Sequence, residues 1–419
     1  MMSLLVVLSL FCFFVSDCQC HTYEVLKGIQ ETVLKNYTRY LRPLRNQSET
    51  LVVYTDLMLN SIQNFNVKTR TLKTSIALNL VWKDDFIQWE ALDDHMKVFQ
   101  LPKSQVWTPT MILHNPAEGF EITTESNSID KTQHFFNGTV NYVITGSILT
   151  VCKPDIFLYP MDSHTCDIQV INSHYQENIV LKSLRNKIGL DHYTEHPEWV
   201  ITGTNVSTNL VHGNITELAF IIHFSRKPEF HMVNVLLPIT FLSALNVLVF
   251  VLPHHSGERI SYSITILLTF VVFMNAMADE LPPIGDPVCL LNIYITIQMT
   301  MSSSIVVFTI ASLSLYDNED KGKPVPLRWK IFAYYVGNIL CLKFKNAQEF
   351  EIKDIPKINE VYPFEDDCDV IQDSPAPPYV DLGWKDVGHA YDKCFFVISS
   401  LILITDTATY FLCISLHLT

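Results

Sequence analysis

Charged residues are scarce in this chain, and basic residues are the scarcer kind. Only 17% of the 419 residues are charged, and 29 lysines and arginines stand against 43 acids, which gives a net charge of −14. A nucleic-acid partner needs a basic face, so this balance argues against nucleic-acid binding. The chain also lacks the G-x-S-x-G, H-E-x-x-H and glycine-rich phosphate-binding patterns. We therefore expect no catalytic residues, no cofactor and no metal site.

Long apolar runs dominate the second half of the chain. The hydrophobic content of 48% is high for a soluble protein and is typical of a membrane protein. Residues 230–257, 260–278 and 287–316 contain no Asp, Glu, Lys or Arg, and Asp406 alone interrupts a fourth apolar stretch, 394–418. Each run is long enough to cross about 30 Å of hydrocarbon as a helix. The first three predicted transmembrane helices are at about 232–253, 258–279 and 288–315, within a region 230–316. The fourth is in 393–419, which ends in a short extracellular segment.

Two independent signals predict the same topology. All five Asn-x-Ser/Thr sequons precede residue 229, which indicates that 21–229 is an extracellular domain. The link after the third span opens with basic residues, which favour the cytoplasm. In this link, 317–392, we predict an amphipathic helix within 325–343 along the inner membrane surface and partial disorder in the acidic stretch 346–392. The predicted glycosylation sites are Asn36, Asn46, Asn137, Asn205 and Asn214.

The first twenty residues contain an apolar run followed by small or polar residues. This pattern is typical of a secretory signal peptide, although no basic residue precedes the run. A buried first strand and a membrane anchor are the alternatives. The apolar core is short for a membrane span, which favours a signal peptide at 1–20.

Short segments with alternating apolar and polar residues fill the extracellular region. They are separated by turn-rich stretches, so the pattern predicts an antiparallel β-sandwich, preceded by a helix within 25–40. The body of this domain contains two cysteines, Cys152 and Cys166. In an oxidising compartment two cysteines most simply pair with each other, so we expect a disulfide.

The segment between these cysteines, CKPDIFLYPMDSHTC, has an aromatic-Pro-x-Asp core at Tyr159, Pro160 and Asp162. It resembles the signature loop of the Cys-loop receptor superfamily, and the resemblance extends over nearly the whole chain after residue 20. The most similar branch comprises the nicotinic acetylcholine and serotonin-gated channels. Other motifs occur in the order found in that family: WKDDFIQW at 82–89, VWTP at 106–109, EWVITG from 198, Arg-Lys-Pro at 226–228, LLP at 236–238 and SGERISYSITILL from 256.

This resemblance implies a fold class and a set of partners. The fold would be an extracellular all-β immunoglobulin-like sandwich plus a four-helix transmembrane bundle, assembled as a pentamer. Each chain would associate with four further subunits, identical or different, among the lipids of the plasma membrane, with a postsynaptic membrane as one candidate location. A small extracellular ligand would bind at subunit interfaces, and cations would permeate.

Seven residues of the second predicted span share one helical face, because they are spaced by three or four positions. In a ring of five subunits this face would line a pore, with small hydroxyls replacing water around the ion and apolar rings gating by dewetting. Gly257, Glu258 and Arg259 resemble the Gly-Glu-Lys/Arg filter of cation-selective members. Two alternatives are an amphipathic helix in an ordinary bundle, and a Glu258 that only pairs with Arg259 of a neighbour. The predicted pore-lining residues are Glu258, Ser261, Thr265, Leu268, Val272, Asn275 and Asp279.

The same resemblance implies residues that transmit ligand binding to the pore. We expect this role for Tyr159, Pro160, Asp162, Arg226 and Pro282, together with the link 66–70. An ion pair between Asp162 and Arg226 is a further hypothesis.

The expected ligand pocket departs from the family's aromatic cage, in which ring faces hold a cationic amine by cation–π attraction. Relatives carry Trp at the positions of Ala77 and Ser173 and Tyr at the position of His114, and this chain has no vicinal cysteine pair between 199 and 228. Binding of acetylcholine or serotonin in the usual manner is therefore not expected. Several of these residues are histidines, which suit proton sensing or zinc capture, although their spacing matches no zinc motif. The candidate pocket residues are Ala77, Trp107, His114, Ser173, His174, Tyr175 and His212.

Two other functions stay open at this point. The chain could be an accessory subunit that binds no agonist and works only in a heteropentamer. It could also be a membrane recognition receptor that does not conduct, although a simple anchor has no need of a Ser/Thr stripe. Asp406 in the fourth span must be protonated, paired or close to the headgroups.

Overall fold

The computed structural model divides into two compact units. One comprises Met1–Pro154 and Ser163–Lys227, and the other comprises Asp155–Asp162 and Pro228–Thr419. The predicted signal peptide lies outside the residues that the structure describes. The described ranges are 23–90, 97–119, 131–172, 178–211, 215–254, 257–281, 288–340, 342 and 382–418.

The first unit is a two-sheet β-sandwich preceded by a helix, α1 (Tyr23–Leu34). One sheet has six strands in the order β3-β5-β6-β2-β1-β8, and the other has four in the order β4-β7-β10-β9. Every pairing is antiparallel except that of β1 with β8. The strands are β1 (Leu51–Asn66), β2 (Thr71–Lys83), β3 (Val98–Pro102), β4 (Met111–Leu113), β5 (Lys131–Phe135), β6 (Thr139–Val151), β7 (Ser163–Asn172), β8 (Ile179–Ser183), β9 (Trp199–Val211) and β10 (Ile215–Arg226).

Alternation of side chains along the strands builds the sandwich core. In β2 every second residue from Leu72 to Trp82 is buried, while the residues between them are at least partly exposed. In the facing sheet, the first six residues of β10 are all buried, and alternation begins at Phe220; Leu218, Phe220 and Phe224 are fully buried. This period of two is the pleat of a strand with one face on the core. The predicted immunoglobulin-like β-sandwich is confirmed.

Aromatic packing and one disulfide stabilise the part of this core around Trp199. The ring of Trp199 lies edge-on to Phe65 and Phe224, with centroids 5.3 and 5.2 Å apart, a favourable arrangement for ring quadrupoles. A disulfide joins Cys152, just after β6, to Cys166 in β7. It ties together strands of the two different sheets.

The loop after β2 fastens α1 to the sandwich. Asp84 accepts the backbone N–H groups of Phe86 and Ile87 and the hydroxyl of Tyr37, at 2.8, 3.1 and 2.9 Å. Tyr37 in turn accepts the backbone N–H of Trp107 at 3.2 Å. Burial raises the pKa of both Tyr37 and Asp84. The WKDDF and VWTP motifs therefore meet at one hydrogen-bonded junction.

The second unit contains the four helices that are long and apolar enough to cross a membrane, among the residues described. The first is not uniform: it contains a π-helical segment, Met232–Leu236, just before Pro238, and ends in a 3₁₀ turn, Leu248–Val251. Proline has no N–H to donate, and a wider turn accommodates that break. The helices are α2 (Glu229–Val251), α3 (Arg259–Glu280), α4 (Leu290–Asp320), α5 (Leu327–Ile339) and α6 (Trp384–Leu418).

The helix that contains the fourth predicted span begins before that span. Residues 384–392, which the sequence analysis assigns to the cytoplasmic link, form its first turns. Trp384 explains the difference: its backbone N–H donates to Glu319 at 3.0 Å and its indole N–H donates to the Lys323 carbonyl at 2.8 Å. A side chain at Gly388 would lie 2.7 Å from the ring of Tyr316, so the two helices approach closely here.

Burial of His134 predicts a loss of stability in acid. This β5 residue is 1% exposed, and burial lowers the pKa of its imidazole to about 4. The unfolded chain therefore takes up a proton below about pH 6.5 that the folded chain does not, so folding stability is complete above that pH and is lost as the pH falls toward 4. Between pH 7.5 and 5 we expect protonation linked to His134 to lower the free energy of unfolding by about 2 kcal/mol.

Thermal unfolding of the purified full chain at the two pH values measures this loss. His134→Leu should unfold with a smaller pH dependence, while the same measurement on His192→Gln, which alters an exposed histidine, should match the parent. An unchanged pH dependence in His134→Leu would remove His134 as the cause.

Candidate functional site

The seven predicted pore residues form one continuous exposed stripe on α3. Leu268 and Val272 remain 62% and 59% exposed, and the other members are exposed as well. The opposite side of the helix is covered by its neighbours, which the burial of Ser263, Ile266 and Phe270 shows. Glu258 flanks the first residue of the helix, and Asp279 lies in its last turn. The single chain therefore leaves a polar stripe with a carboxylate at each end and an apolar belt between them.

Arg259, the residue after Glu258, points in the other direction. Its side chain is fully buried and forms a two-pronged ion pair with Asp392 of α6, at 3.1 and 2.9 Å. Asp392 also accepts the hydroxyls of Ser312 at 2.5 Å and Tyr316 at 3.1 Å. Both carboxylate oxygens and the guanidinium are thus satisfied within one chain, as buried charges require.

This geometry removes one alternative considered for Glu258. Arg259 was a candidate partner for the carboxylate of a neighbouring chain, but its guanidinium is engaged by Asp392 and by the carbonyl of Val249 at 2.9 Å. Glu258 stays exposed beside the base of α3.

The central part of the disulfide loop packs on the helical unit. Residues 155–162 belong to that unit by their contacts. The backbone N–H of Leu290, the first residue of α4, donates to the Phe157 carbonyl at 3.0 Å, and the ring of Tyr159 lies edge-on to His231 of α2 at 5.4 Å. Tyr159, whose peptide bond to Pro160 is cis, is 3% exposed. Phe157 and Tyr159 therefore contact the starts of two membrane helices within this unit.

The remaining coupling candidates lie at the end of the sandwich or outside the described residues. Arg226, the last residue of β10, pairs with Glu198 and places its guanidinium 4.2 Å from the centre of the Trp199 ring. Its pairing with Asp162 stays a prediction. Pro282 lies outside the residues that the structure describes.

His114 forms a polar cluster on the outer face of the four-stranded sheet. Its Nδ1 bonds to Glu217 Oε2, and Asn209 donates to Glu217 Oε1 at 3.2 Å. The carboxylate side chain is 5% exposed and the imidazole 30% exposed. Glu217 and Asn209 are register partners on β10 and β9, two pairs from the end of this ladder at Ile215 and Val211. The position expected for a tyrosine of an aromatic cage therefore holds a histidine–carboxylate pair.

Of the other pocket candidates, the structure describes Ala77 and Trp107, and both lie away from the His114–Glu217 contact. Ala77 lies in β2 of the six-stranded sheet, opposite Met58 and Thr145. Trp107 packs edge-on against Trp82 at 5.7 Å. A family pocket draws on faces of two subunits, so separation within one chain is compatible with that arrangement. Ser173, His174, Tyr175 and His212 fall outside the described residues.

The histidines within the described ranges do not form a metal site. No group of three or more His, Cys, Asp or Glu side chains there is arranged to hold a metal ion. His196 has a structural hydrogen bond, because its Nδ1 accepts the Glu198 backbone N–H at 3.1 Å. Burial is the main cause that lowers the pKa of its imidazole. His192 is exposed.

Sequence reasoning missed two acids that the structure makes prominent. Glu217 has a sequence signal, since it is a carboxylate in an otherwise apolar strand, ELAFIIHF. Asp392 looked like part of an acidic link, and only its contact with Arg259 distinguishes it. Asp406, by contrast, was expected to need a partner, and Gln298 of α4 donates to it at 2.6 Å.

A β-sandwich followed by four apolar helices, with an intervening disulfide between Cys152 and Cys166, defines a receptor-like membrane protein. Comparison with known families agrees. The neurotransmitter-gated ion-channel ligand binding domain matches residues 27–228, and the neurotransmitter-gated ion-channel transmembrane region matches residues 235–357. The chain therefore belongs to the neurotransmitter-gated ion-channel family. It is accordingly a multi-pass membrane protein with an extracellular N-terminal domain, and it is not an enzyme.

Individual relatives are distant. The chain is 24% identical over 322 residues to neuronal acetylcholine receptor subunit alpha-6 of Pan troglodytes, covering 74% of this chain and 64% of the relative. It is 28% identical over 335 residues to 5-hydroxytryptamine receptor 3A of Cavia porcellus, covering 77% and 67%. Acetylcholine receptor subunit beta-like 1 of Drosophila melanogaster is 28% identical over 322 residues, covering 74% and 61%. The chain spans less than two thirds of the length of the acetylcholine receptor subunits it matches.

The Arg259–Asp392 pair predicts a strong effect of removing one charge. Asp392→Ala leaves a buried guanidinium without its counter-charge, which typically costs about 3–5 kcal/mol. We expect a large fall in thermal stability and in surface expression of the full chain. Exchanging the charges in the double variant Arg259→Asp/Asp392→Arg should recover part of the loss.

Asp317→Ala provides the matched control. Asp317 pairs with Lys321 in the same helical region, but both side chains are 56% exposed. Exposed pairs contribute about 0–1 kcal/mol, so this variant should behave like the parent. Equal effects of the two alanine variants would contradict a stabilising role for the buried pair.

Proposed function

We propose that the chain is a subunit of a pentameric, ligand-gated, cation-permeable channel of the plasma membrane, with a postsynaptic site as one candidate location. A small extracellular ligand binds where subunits meet and opens a pore lined by α3. Residues 1–20 are a signal peptide that is removed, 21–229 the extracellular domain, and the link between α4 and α6 the cytoplasmic part. Four further subunits, identical or different, complete the ring.

The exposed stripe of α3 is the observation that carries this proposal. A membrane helix that faced lipid would not expose Glu258, Ser261, Thr265 and Asp279 together, because polar and charged groups in hydrocarbon are costly. Water and ions in a pore can solvate those groups. Leu268 and Val272 form apolar rings at mid-height, where dewetting can interrupt the water column.

Cation selectivity follows from the charges left on the stripe. The two ionisable residues among the seven are carboxylates, and the nearest cation, Arg259, is buried against Asp392. Five copies of Glu258 would give a strongly negative ring at one mouth. Such a ring attracts cations and repels anions.

The ligand is held by chemistry other than an aromatic cage. His114 and Glu217 offer a buried carboxylate and an imidazole edge, which suit a ligand with hydrogen-bond donors or positive charge. Ala77, on the opposite side of the expected interface, offers no ring face. A compact cation with several N–H donors fits this description better than a quaternary amine.

An accessory subunit is the second candidate, and the same pocket favours it. If Ala77 and His114 stand where agonist-binding subunits have aromatic rings, this chain could contribute α3 to a pore without binding agonist. Surface-expressed chain that stays silent alone, but alters currents when expressed with relatives, would support this candidate. A recognition receptor that never conducts has no observation in its favour beyond the sandwich itself.

Glu258→Gln tests the pore. We expect the reversal potential of the parent's gated current to shift when sodium is substituted and to stay unchanged when chloride is substituted. Removing five carboxylates should lower single-channel conductance severalfold and weaken cation selectivity, because the negative ring is lost. Current recordings from cells expressing the chain, with amines, amino acids, zinc and pH steps as stimuli, provide the measurement.

Glu280→Gln is the matched control for Glu258→Gln. Glu280 is also an exposed glutamate at an end of α3, but it does not belong to the stripe. Its loss should leave reversal potentials close to those of the parent. A parent current that follows chloride would overturn the assignment of Glu258.

Glu217→Gln tests the ligand face with an isosteric change. The amide keeps the shape and can still accept from Asn209, but it removes the charge opposite His114. Loss of a charged hydrogen bond of about 1.5–3 kcal/mol should raise the half-activating ligand concentration roughly tenfold or more. Concentration–response curves for whichever stimulus opens the channel give the value, with Glu195→Gln, an exposed extracellular glutamate, as the control. Equal curves for parent and Glu217→Gln would exclude this carboxylate from the ligand site.

A further inference from the structure

The segment that joins α1 to β1 is basic in an otherwise acidic chain. Residues 32–48 contain no acid and four cations, Lys35, Arg39, Arg42 and Arg45, whereas the whole chain has a net charge of −14. Lys35, Arg39 and Arg45 are exposed, and Arg42 is partly exposed. This segment belongs to the extracellular domain, so any partner of these cations is an extracellular molecule.

Hydrogen bonds fasten the middle of this segment to the sandwich. The Arg42 guanidinium donates to the carbonyls of Glu49 and Asn178, each at 3.0 Å. Pro43 is buried, and its carbonyl accepts the backbone N–H of Asp85 at 3.0 Å. The backbone that carries the exposed cations is therefore already ordered, which lowers the entropic cost of binding a partner.

Arg39 lines an open cavity of about 520 Å³ on this surface. Its guanidinium donates to the Ser104 carbonyl at 2.6 Å and to the Tyr40 hydroxyl at 3.2 Å. An arginine has five N–H donors, so three of them take no part in these two bonds. Tyr40 is 80% exposed beside it. Because the cavity is open to solvent, it suits a stretch of a polymer better than an enclosed small molecule.

Two lysines extend the basic surface beyond Arg39. Lys103 lines the same cavity, with its ammonium over the Tyr142 ring at 5.2 Å from the ring centre. Lys131, the first residue of β5, is exposed and pairs in register with Pro102, the residue before Lys103. The cations of the segment therefore continue onto the edge of the six-stranded sheet, where β3 and β5 lie.

Two acids beside the segment leave it with an excess of positive charge. Asp85 accepts the backbone N–H of Arg45 at 3.2 Å, and Glu49 accepts the side-chain amide of Asn46 at 3.1 Å. Neither bond involves a guanidinium. The contacts that Arg39 makes are with carbonyl and hydroxyl oxygens, which carry no net charge. An excess of one sign on a surface attracts polymers of the opposite sign.

We propose that a basic patch on the extracellular domain binds a sulfated glycosaminoglycan. The patch consists of Lys35, Arg39, Arg42, Arg45 and Lys131. A guanidinium can pair with two oxygens of an oxyanion at once, and a sulfated chain presents such groups repeatedly along its length. Short segments rich in Lys and Arg are typical of heparin-binding surfaces. Sulfated polysaccharides are abundant on cell surfaces, so this contact would hold the receptor beside the extracellular matrix or an adjacent cell.

Heparin binding by the purified full chain in neutral detergent tests the site without any need for a channel current. The predicted glycosylation sites Asn36 and Asn46 lie within the segment, so the N-glycans are first trimmed to a single sugar with an endoglycosidase. Surface plasmon resonance then compares heparin with hyaluronan, which carries carboxylates but no sulfates. We expect heparin to bind at least about tenfold more tightly, and its affinity to fall as the salt concentration rises.

Two double variants distinguish the charge of the patch from the particular side chains. Arg39→Gln/Arg45→Gln removes two exposed cations and should weaken heparin binding roughly tenfold or more, since each lost contact adds to the effect. Arg39→Lys/Arg45→Lys keeps both charges and should retain most of the affinity. Thermal unfolding of each variant without heparin confirms that the fold is kept.

Lys73→Gln/Lys187→Gln is the matched control, because it also removes two exposed cations from the extracellular domain. Lys73 pairs with Asn64 near the far end of β1, away from the start of that strand where the patch lies. This variant should bind heparin like the parent. Equal losses in the two glutamine variants, equal binding of hyaluronan and heparin, or a parent that heparin does not retain at physiological ionic strength would each overturn the proposal.

Discussion

Hydrocarbon offers a polypeptide no hydrogen-bond partners, and this constraint shapes the second half of the chain. Each membrane segment must satisfy its own backbone, so each one is a helix, and even Pro238 is accommodated by a local π-helical turn rather than by a break. Polar side chains face the same requirement. Arg259 meets Asp392 and Gln298 meets Asp406, each across two helices. These contacts decide which face of each helix points inward.

The face left outside is therefore informative. Once Arg259, Ser263, Ile266 and Phe270 of α3 are turned into the bundle, the stripe from Glu258 to Asp279 stays exposed on the surface of the single chain. Lipid cannot solvate those carboxylates, so water or further protein must. A ring of chains around an aqueous path supplies both, which is why the exposure of this stripe argues for assembly as well as for conduction.

Residue spacing predicted the parts of this protein that depend on period alone. The uncharged runs predicted helices, and the alternation along strands such as β2 predicted the sandwich. The three-four spacing along α3 identified residues that are all exposed in the folded chain. Residue spacing could not predict contacts between segments that are distant in the sequence. Glu217 contacts His114 only because β7 pairs with β10 on one side and with β4 on the other. Asp392 becomes structural only because α6 starts early enough to reach Arg259.

The same distinction explains why the ligand side is harder to define than the pore. A pore face repeats along one helix, whereas a ligand pocket collects side chains from several loops and, in this family, from two chains. At the position where the resemblance predicts a cage tyrosine, this chain has a histidine–carboxylate pair. A buried carboxylate keeps its place only if something compensates its charge, and in the single chain His114 and Asn209 do so. If the proposed ligand site is correct, a ligand that replaces His114 as the partner of Glu217 would release the imidazole, and occupancy would change the sandwich without a cage of rings.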